Sequence, residues 1–297
     1  MVEVTRVDGF LVNHANAPGG KQFRFSSEQL RRFSGYLNLL ERTYDSDLLD
    51  PESVIREELK LTKLGGYATP HVIVVAEEGE EEKPEILKLP RDVVGAASGN
   101  MMPIKFGDDV SNRAAFGILS YSPPEVAGIN NPTHRAVAVL HNELVDIALR
   151  RRRFYIGEVV EAEPDKVDIY QTWGFQRLDG VPYVQPVLDW KRDGTPAKRE
   201  VELPLMFHVA PPGYMGRNKN SEFWIRAQQA TPDGHEVREQ LASEVVNALY
   251  DWTIPSTDEF PQLRDGRAER RAVQYHETMR DRILDAIVKP GNEVRLV

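Results

Sequence analysis

The spacing of apolar residues changes several times along the chain, and each change predicts an element. Leu30, Phe33, Leu37 and Leu40 recur at helical intervals behind Ser26 and Ser27, two candidate N-caps, so a first helix is expected there. Asp50-Pro51-Glu52 opens a second helix, with Asp50 as cap and Pro51 at its first position. Its apolar side is Val54, Ile55, Leu59 and Leu61, and Gly65-Gly66 stops it. The pattern then turns into short β-branched runs. His71 to Ala76 reads as a buried strand, Leu87 to Asn100 contains a second around Val93-Val94, and Ala114 to Tyr121 is a third. Pro123-Pro124 ends that strand, because proline cannot donate into a sheet ladder. A long helix is predicted over about 133–152, with Val137, Leu140, Leu144, Ile147 and Ala148 on one face. Phe154 to Val160 is a strand and 165–172 a short helix, and Tyr183 to Pro186 and Val201 to Val209 are read as further strands. After Pro211-Pro212-Gly213 the chain turns polar, and two helices follow at about 235–252 and 264–288.

A strand between two helical segments gives the middle of the chain βαβ character, so an α/β fold with a mixed sheet is expected. The expected division is 1–212 for the α/β domain and 213–297 for a helical C-terminal extension. In that extension Leu241, Val245, Ala248 and Leu249 form an apolar stripe, which either caps the main domain or is offered to a partner or a second copy.

Composition narrows the chemistry. The 297 residues include no cysteine, which excludes disulfides, thiolate metal sites and a cysteine nucleophile together. The formal net charge of −9 gives no global basic field for nucleic acid. The local exception is Arg150 to Arg153, read either as cations complementing a helix C-terminus or as a contact for phosphate. No apolar run approaches the roughly 18 residues that cross a bilayer. Met-Val-Glu-Val-Thr-Arg at the start, with no apolar stretch after it, reads as a cytoplasmic protein. The seven histidines include no pair at the spacing of a helical zinc site, and no metal is expected. Gly213 to Lys219 is a basic loop, either a linker or a lid over a ligand.

Two segments carry candidate chemistry. The first, Asn131-Pro132-Thr133-His134-Arg135-Ala136-Val137-Ala138-Val139-Leu140, joins the third strand to the long helix. A helix N-terminus offers free N–H groups and a positive dipole end to an anion, and Arg135 adds a charged donor. The second, Tyr170-Gln171-Thr172-Trp173-Gly174-Phe175, follows the next strand and short helix. The second segment resembles the Tyr-x-x-x-Gly-Phe signature of the GNAT acyltransferase superfamily. The first resembles that superfamily's coenzyme A loop, Pro-x-x-Arg-x-x-Gly-x-Gly/Ala, with Pro132 and Arg135 in register and Ala138 and Leu140 at the usual glycine positions.

The resemblance covers roughly residues 25–210 and implies a GNAT-like mixed central sheet flanked by helices. It implies an N-acyltransferase that moves an acyl group from acetyl-CoA or another acyl-CoA to a primary amine by direct attack. Tyr121, Arg135, Ala136, Val137 and Ala138 would then hold the coenzyme, and Leu140 would crowd it. Tyr170 would protonate the departing thiolate, and Glu158 or Glu125 would accept the amine proton. A backbone N–H of the third strand would polarise the carbonyl. Two other readings keep the fold. One takes the acyl group from acyl carrier protein, with Arg150 to Arg153 as the docking patch; the other is an inactive binding module. The expected partners are a small-molecule amine, possibly a carrier protein, and a second copy as a homodimer, with neither nucleic acid nor membrane among them.

Overall fold

The structure, a computed structural model, describes residues 2–13, 21–44, 49–50, 52–64, 69–78, 92–105, 113–121, 131–209, 229, 231–257 and 260–297. The chain forms two compact units, Met1–Met101 with Leu119–Ile147, and Met102–Ile118 with Ala148–Val297.

The first unit holds β1 (Val2–Val7), a hairpin of β2 (Phe10–Asn13) and β3 (Lys21–Arg24), α1 (Ser27–Thr43), α2 (Glu52–Leu64) and β4 (His71–Glu78). It also holds most of β5 (Asp92–Lys105). β4 pairs antiparallel with β1 on one side and β5 on the other. Both faces of β4 are covered, so every residue from His71 to Glu77 is buried, as its unbroken apolar run implies. Helix α1 starts as the serines predict: Ser26 Oγ accepts from Gln29 N at 3.2 Å. Phe33, Tyr36 and Leu40 of α1 pack with Ile55 and Leu59 of α2 on Ile73, Val75 and Ala96. Leu30, expected on that face, is 42% exposed. Arg32 is buried in its stead, because α1 turns Arg31 and Arg32 onto Glu77, a fully buried carboxylate of β4. At the helix–sheet contact Gly35 is needed, since a Cβ there would meet Val93 Cγ2 at 2.6 Å.

In the second unit, β6 (Arg113–Tyr121) lies beside β7 (Phe154–Glu161), and the order continues with β9 (Leu205–Val209), β8 (Gln176–Asp179) and β10 (Arg295–Leu296). β6 and β7 are neighbours in the sheet and are joined along the chain through helix α3 (Pro132–Arg150). The β7–β9, β8–β9 and β10–β8 pairs are antiparallel, and the fold is α/β with a mixed sheet, as expected. Helix α4 (Val167–Thr172) precedes β8, and α5 (Pro232–Trp252) and α6 (Gly266–Ile287) complete the unit. The stripe of α5 is covered by its own unit rather than offered outward: Leu241 and Val245 are 0% exposed and Leu249 1%. Tyr250 Oη donates to Val184 O at 2.8 Å and His276 Nε2 donates to Tyr250 O at 2.7 Å, tying α5 and α6 to the segment after β8.

Two strand expectations shrink. Tyr183 to Pro186 and residues 201–204 contribute only the isolated bridge Val184–Glu202. Pro204 has no N–H to donate, and β9 begins after it. No helix among the described residues is long and apolar enough to cross a membrane.

Candidate active site

The two segments singled out in the sequence fall in different units, and each is described by itself. In the first unit, Asn131 caps α3: its Oδ1 accepts from His134 N at 2.7 Å, and its backbone O accepts from Arg135 N at 3.3 Å. Pro132 is therefore the first helical residue, where its missing N–H costs nothing. Arg135, Ala136, Val137 and Ala138, expected to line a phosphate-binding loop, all lie inside the helix. Beyond the first turn every N–H is committed to a carbonyl four residues back. Thr133 is buried, and its N abuts β5 so closely that a Cβ on Gly95 would sit 2.6 Å from it. The group left for a phosphate is the exposed side chain of Arg135. Leu140 is fully buried, so the crowding expected from it does not arise. Tyr121 ends β6 in backbone terms; its side chain, Glu125 and the 213–219 loop lie outside the described residues.

In the second unit, Tyr170 and Glu158 belong to one cluster. Tyr170 lies in the last turn of α4, which ends in a two-bond cap: Phe175 N donates to Tyr170 O at 3.1 Å and Gly174 N donates to Gln171 O at 3.0 Å. Gly174 takes the left-handed conformation this cap demands, with φ of 88°. The chain then turns back, and Phe175 meets the Tyr170 ring edge-on with centroids 6.0 Å apart. The Tyr-x-x-x-Gly-Phe spacing is thus the spacing of a helix stop with its apolar contact. Tyr170 is 1% exposed.

Phe175 also touches His208 of β9, ring centroids 5.1 Å apart. His208 sits directly across the ladder from Glu158 of β7, and its Nδ1 donates to Glu158 Oε2 at 2.8 Å. Glu158 is 1% exposed. The two strands are drawn together beside this pair by Gly157, where a Cβ would sit 2.1 Å from the His208 carbonyl oxygen. Opposite, the open space over Gly174 admits the ring: a Cβ there would lie 3.5 Å from His208 Cδ2 and 3.7 Å from Nε2. The cluster therefore joins a phenol, an imidazole and a carboxylate through one phenylalanine. Sequence reasoning singled out Tyr170 and Glu158 and did not single out His208, whose only signal was a histidine in a predicted strand.

The arginine run closes α3. Arg153 N donates to Ala148 O and Arg152 N to Leu149 O, both at 2.9 Å, and Arg152 holds φ of 55° where glycine is usual. Arg150 and Arg152 are exposed, and Arg153 Nη1 reaches Ala114 O at 3.4 Å. Among the described residues no cluster of ligating side chains could hold a metal ion.

No protein-family model matches the chain, and no curated protein does. Among solved structures it is similar to NAA60 of Arabidopsis thaliana in complex with acetyl-CoA, at 12% identity over 70% of this chain and 98% of that one, with a TM-score of 0.37. It is also similar to an acetyltransferase described as of the GNAT family, from Bacteroides thetaiotaomicron (14% identity, 74% and 95% covered, TM-score 0.34). A third is the spermidine/spermine N-acetyltransferase SpeG of Vibrio cholerae (12% identity, 75% and 98% covered, TM-score 0.32). Likeness at this level assigns no activity to the chain, which has to be read from its own residues.

Proposed function

We propose that this chain is an N-acyltransferase in which a primary amine attacks an acyl thioester directly. The observation that supports it is the cluster of Tyr170, His208 and Glu158 held together by Phe175. Amide formation from a thioester needs a proton removed from nitrogen and a proton delivered to sulfur. The Glu158–His208 pair supplies the accepting end and Tyr170 the donating end. Direct attack suits a chain without cysteine, since no acyl-enzyme is required. Calorimetry with acetyl-CoA and longer acyl-CoAs tests this reading, together with release of free thiol in the presence of a primary amine. Absence of both binding at millimolar ligand and thiol release would overturn it.

One observation favours a second donor. Residues 132–140 are helical, so among the described residues this segment offers no loop of N–H groups to a pyrophosphate. An acyl carrier protein presents its thioester with less reliance on such a loop, and the exposed Arg150 and Arg152 suit its acidic surface. Arg150→Glu with Arg152→Glu should abolish acylation from carrier protein at unchanged melting temperature. Full activity in that double variant would remove the carrier reading.

A further inference from the structure

We propose that His208 is the catalytic base of this site and that Glu158 is its positioning residue; the proposal rests on the acyl-transfer reading above. The sequence directs attention to Glu158, but the geometry separates the two roles. Only 2% of the Glu158 side chain is exposed, against 31% of the His208 side chain. Of the pair, the imidazole is the group that an incoming amine meets first. The Glu158 Oε2 atom that would take a proton is already engaged by His208 Nδ1 at 2.8 Å. Among the described residues Glu158 is the charged group paired with His208, and Tyr170 is the next titratable group, behind Phe175.

That hydrogen bond fixes the tautomer. A carboxylate accepts, so Nδ1 carries the hydrogen and Nε2 keeps the lone pair that binds a proton. It also stabilises the imidazolium once formed, because the charge appears beside an anion. The ring is held on several sides. Glu158 grips Nδ1, Phe175 lies against one face at an interplanar angle of 37°, and β9 is pressed onto β7 at Gly157. The edge bearing Nε2 lies over Gly174, where even a Cβ would stand at ordinary contact distance, 3.7 Å from Nε2.

The step balances without a further reactant. The neutral amine nitrogen attacks the thioester carbon and a C–N bond forms. As the C–S bond breaks, one N–H proton moves to His208 Nε2 and the Tyr170 O–H proton moves to the departing sulfur. Imidazolium and phenolate return to their starting states by proton exchange with water, so amine plus thioester gives amide plus thiol.

The test uses the full chain, n-butylamine as probe acceptor, and whichever thioester the wild type accepts, acetyl-CoA or acyl carrier protein. His208→Gln should lower kcat roughly 10²-fold or more, the scale of losing a positioned base, with donor binding retained. His208→Ala should fall as far and regain activity on addition of imidazole, since the vacated site opens to solvent. Glu158→Gln should lose less, shift the pH profile of kcat/KM and, by ¹⁵N NMR of the imidazole, lose the Nδ1–H tautomer preference. A His208→Gln variant with wild-type turnover, alongside an impaired Tyr170→Phe, overturns the base assignment while acyl transfer stands. A wild type inert with both thioesters overturns the acyl-transfer reading itself. Loss of activity in His208→Ala without imidazole rescue, at a lowered melting temperature, marks the histidine as structural and also overturns the proposal.

Discussion

Two strand glutamates, Glu77 in the first unit and Glu158 in the second, are buried and partnered in opposite ways. Glu77 of β4 is 0% exposed and receives two guanidiniums, from Arg31 and from Arg32 Nε at 2.7 Å. Arginine does not release its proton at any ordinary pH, so this carboxylate is compensated permanently. Glu158 of β7 is as deeply buried but meets one imidazole. Burial of a charge therefore says little about its use. What differs is the partner, two guanidiniums in one case and a partly exposed imidazole in the other.

The sharpest way to break this contrast is to neutralise each glutamate. Glu77→Gln removes the buried anion that Arg31 and Arg32 share, while Arg32 keeps Glu28 at 2.7 Å; removing one partner of a buried ion pair costs up to about 3–5 kcal/mol. Glu158→Gln leaves an amide that can still hydrogen-bond His208 Nδ1, as acceptor or as donor, so its cost should be about 1 kcal/mol, the net worth of one hydrogen bond. Urea unfolding of the two variants checks the difference, and equal losses would dissolve it.

Tyr170→Phe comes next in size. It removes one oxygen from a ring that packs on Phe175 and should leave stability within about 1 kcal/mol. Turnover should drop roughly 10²-fold, equivalent to about 2.7 kcal/mol of barrier. A tyrosine that only fills the core predicts the reverse, a stability loss at full rate, and steady-state kinetics with thermal melts decides between them.

A pH series sharpens the contrast further. His276 is buried and donates Nε2–H to Tyr250 O, and burial holds its pKa below the ordinary value. The unfolded chain therefore binds a proton first. Stability from this residue should be lost as pH falls through about 6.5, where a free imidazole titrates. His276→Gln should remove that part of the acid sensitivity, read from urea midpoints at several pH values. The arginine-clamped Glu77 has no counterpart to this loss near neutrality.

The smallest expected effect is a gain. Arg152 holds a left-handed conformation at the end of α3, and Arg152→Gly should stabilise by up to about 1 kcal/mol by relieving it. Melting curves would show the rise, with neither buried glutamate disturbed.

Local signals in the chain were legible and long-range ones were not. Ser26 could be read as a cap because capping involves residues three apart, and α5 and α6 showed their apolar periods directly. Tyr170, Gly174 and Phe175 stood out for the same reason, since six consecutive residues make the helix stop. The Glu158–His208 pair spans 50 positions and depends on the register of β7 with β9, which no local pattern encodes. Strands β8 and β10 escaped notice because four polar-rich residues and two residues carry no usable alternation. Asn131 caps α3, and Arg135 to Ala138 lie in the helix, within the span of about 133–152 expected for it.

The cap on α4 has a consequence for reading genomes. Its tyrosine, glycine and phenylalanine occupy positions that a well-ended helix would retain for its own sake. Selection acting on foldability alone would keep that spelling in a lineage that had given up turnover, with a phenylalanine as acceptable as a tyrosine at 170. The letters that would disclose a living catalyst lie elsewhere: a hydroxyl retained at 170 together with a histidine at 208.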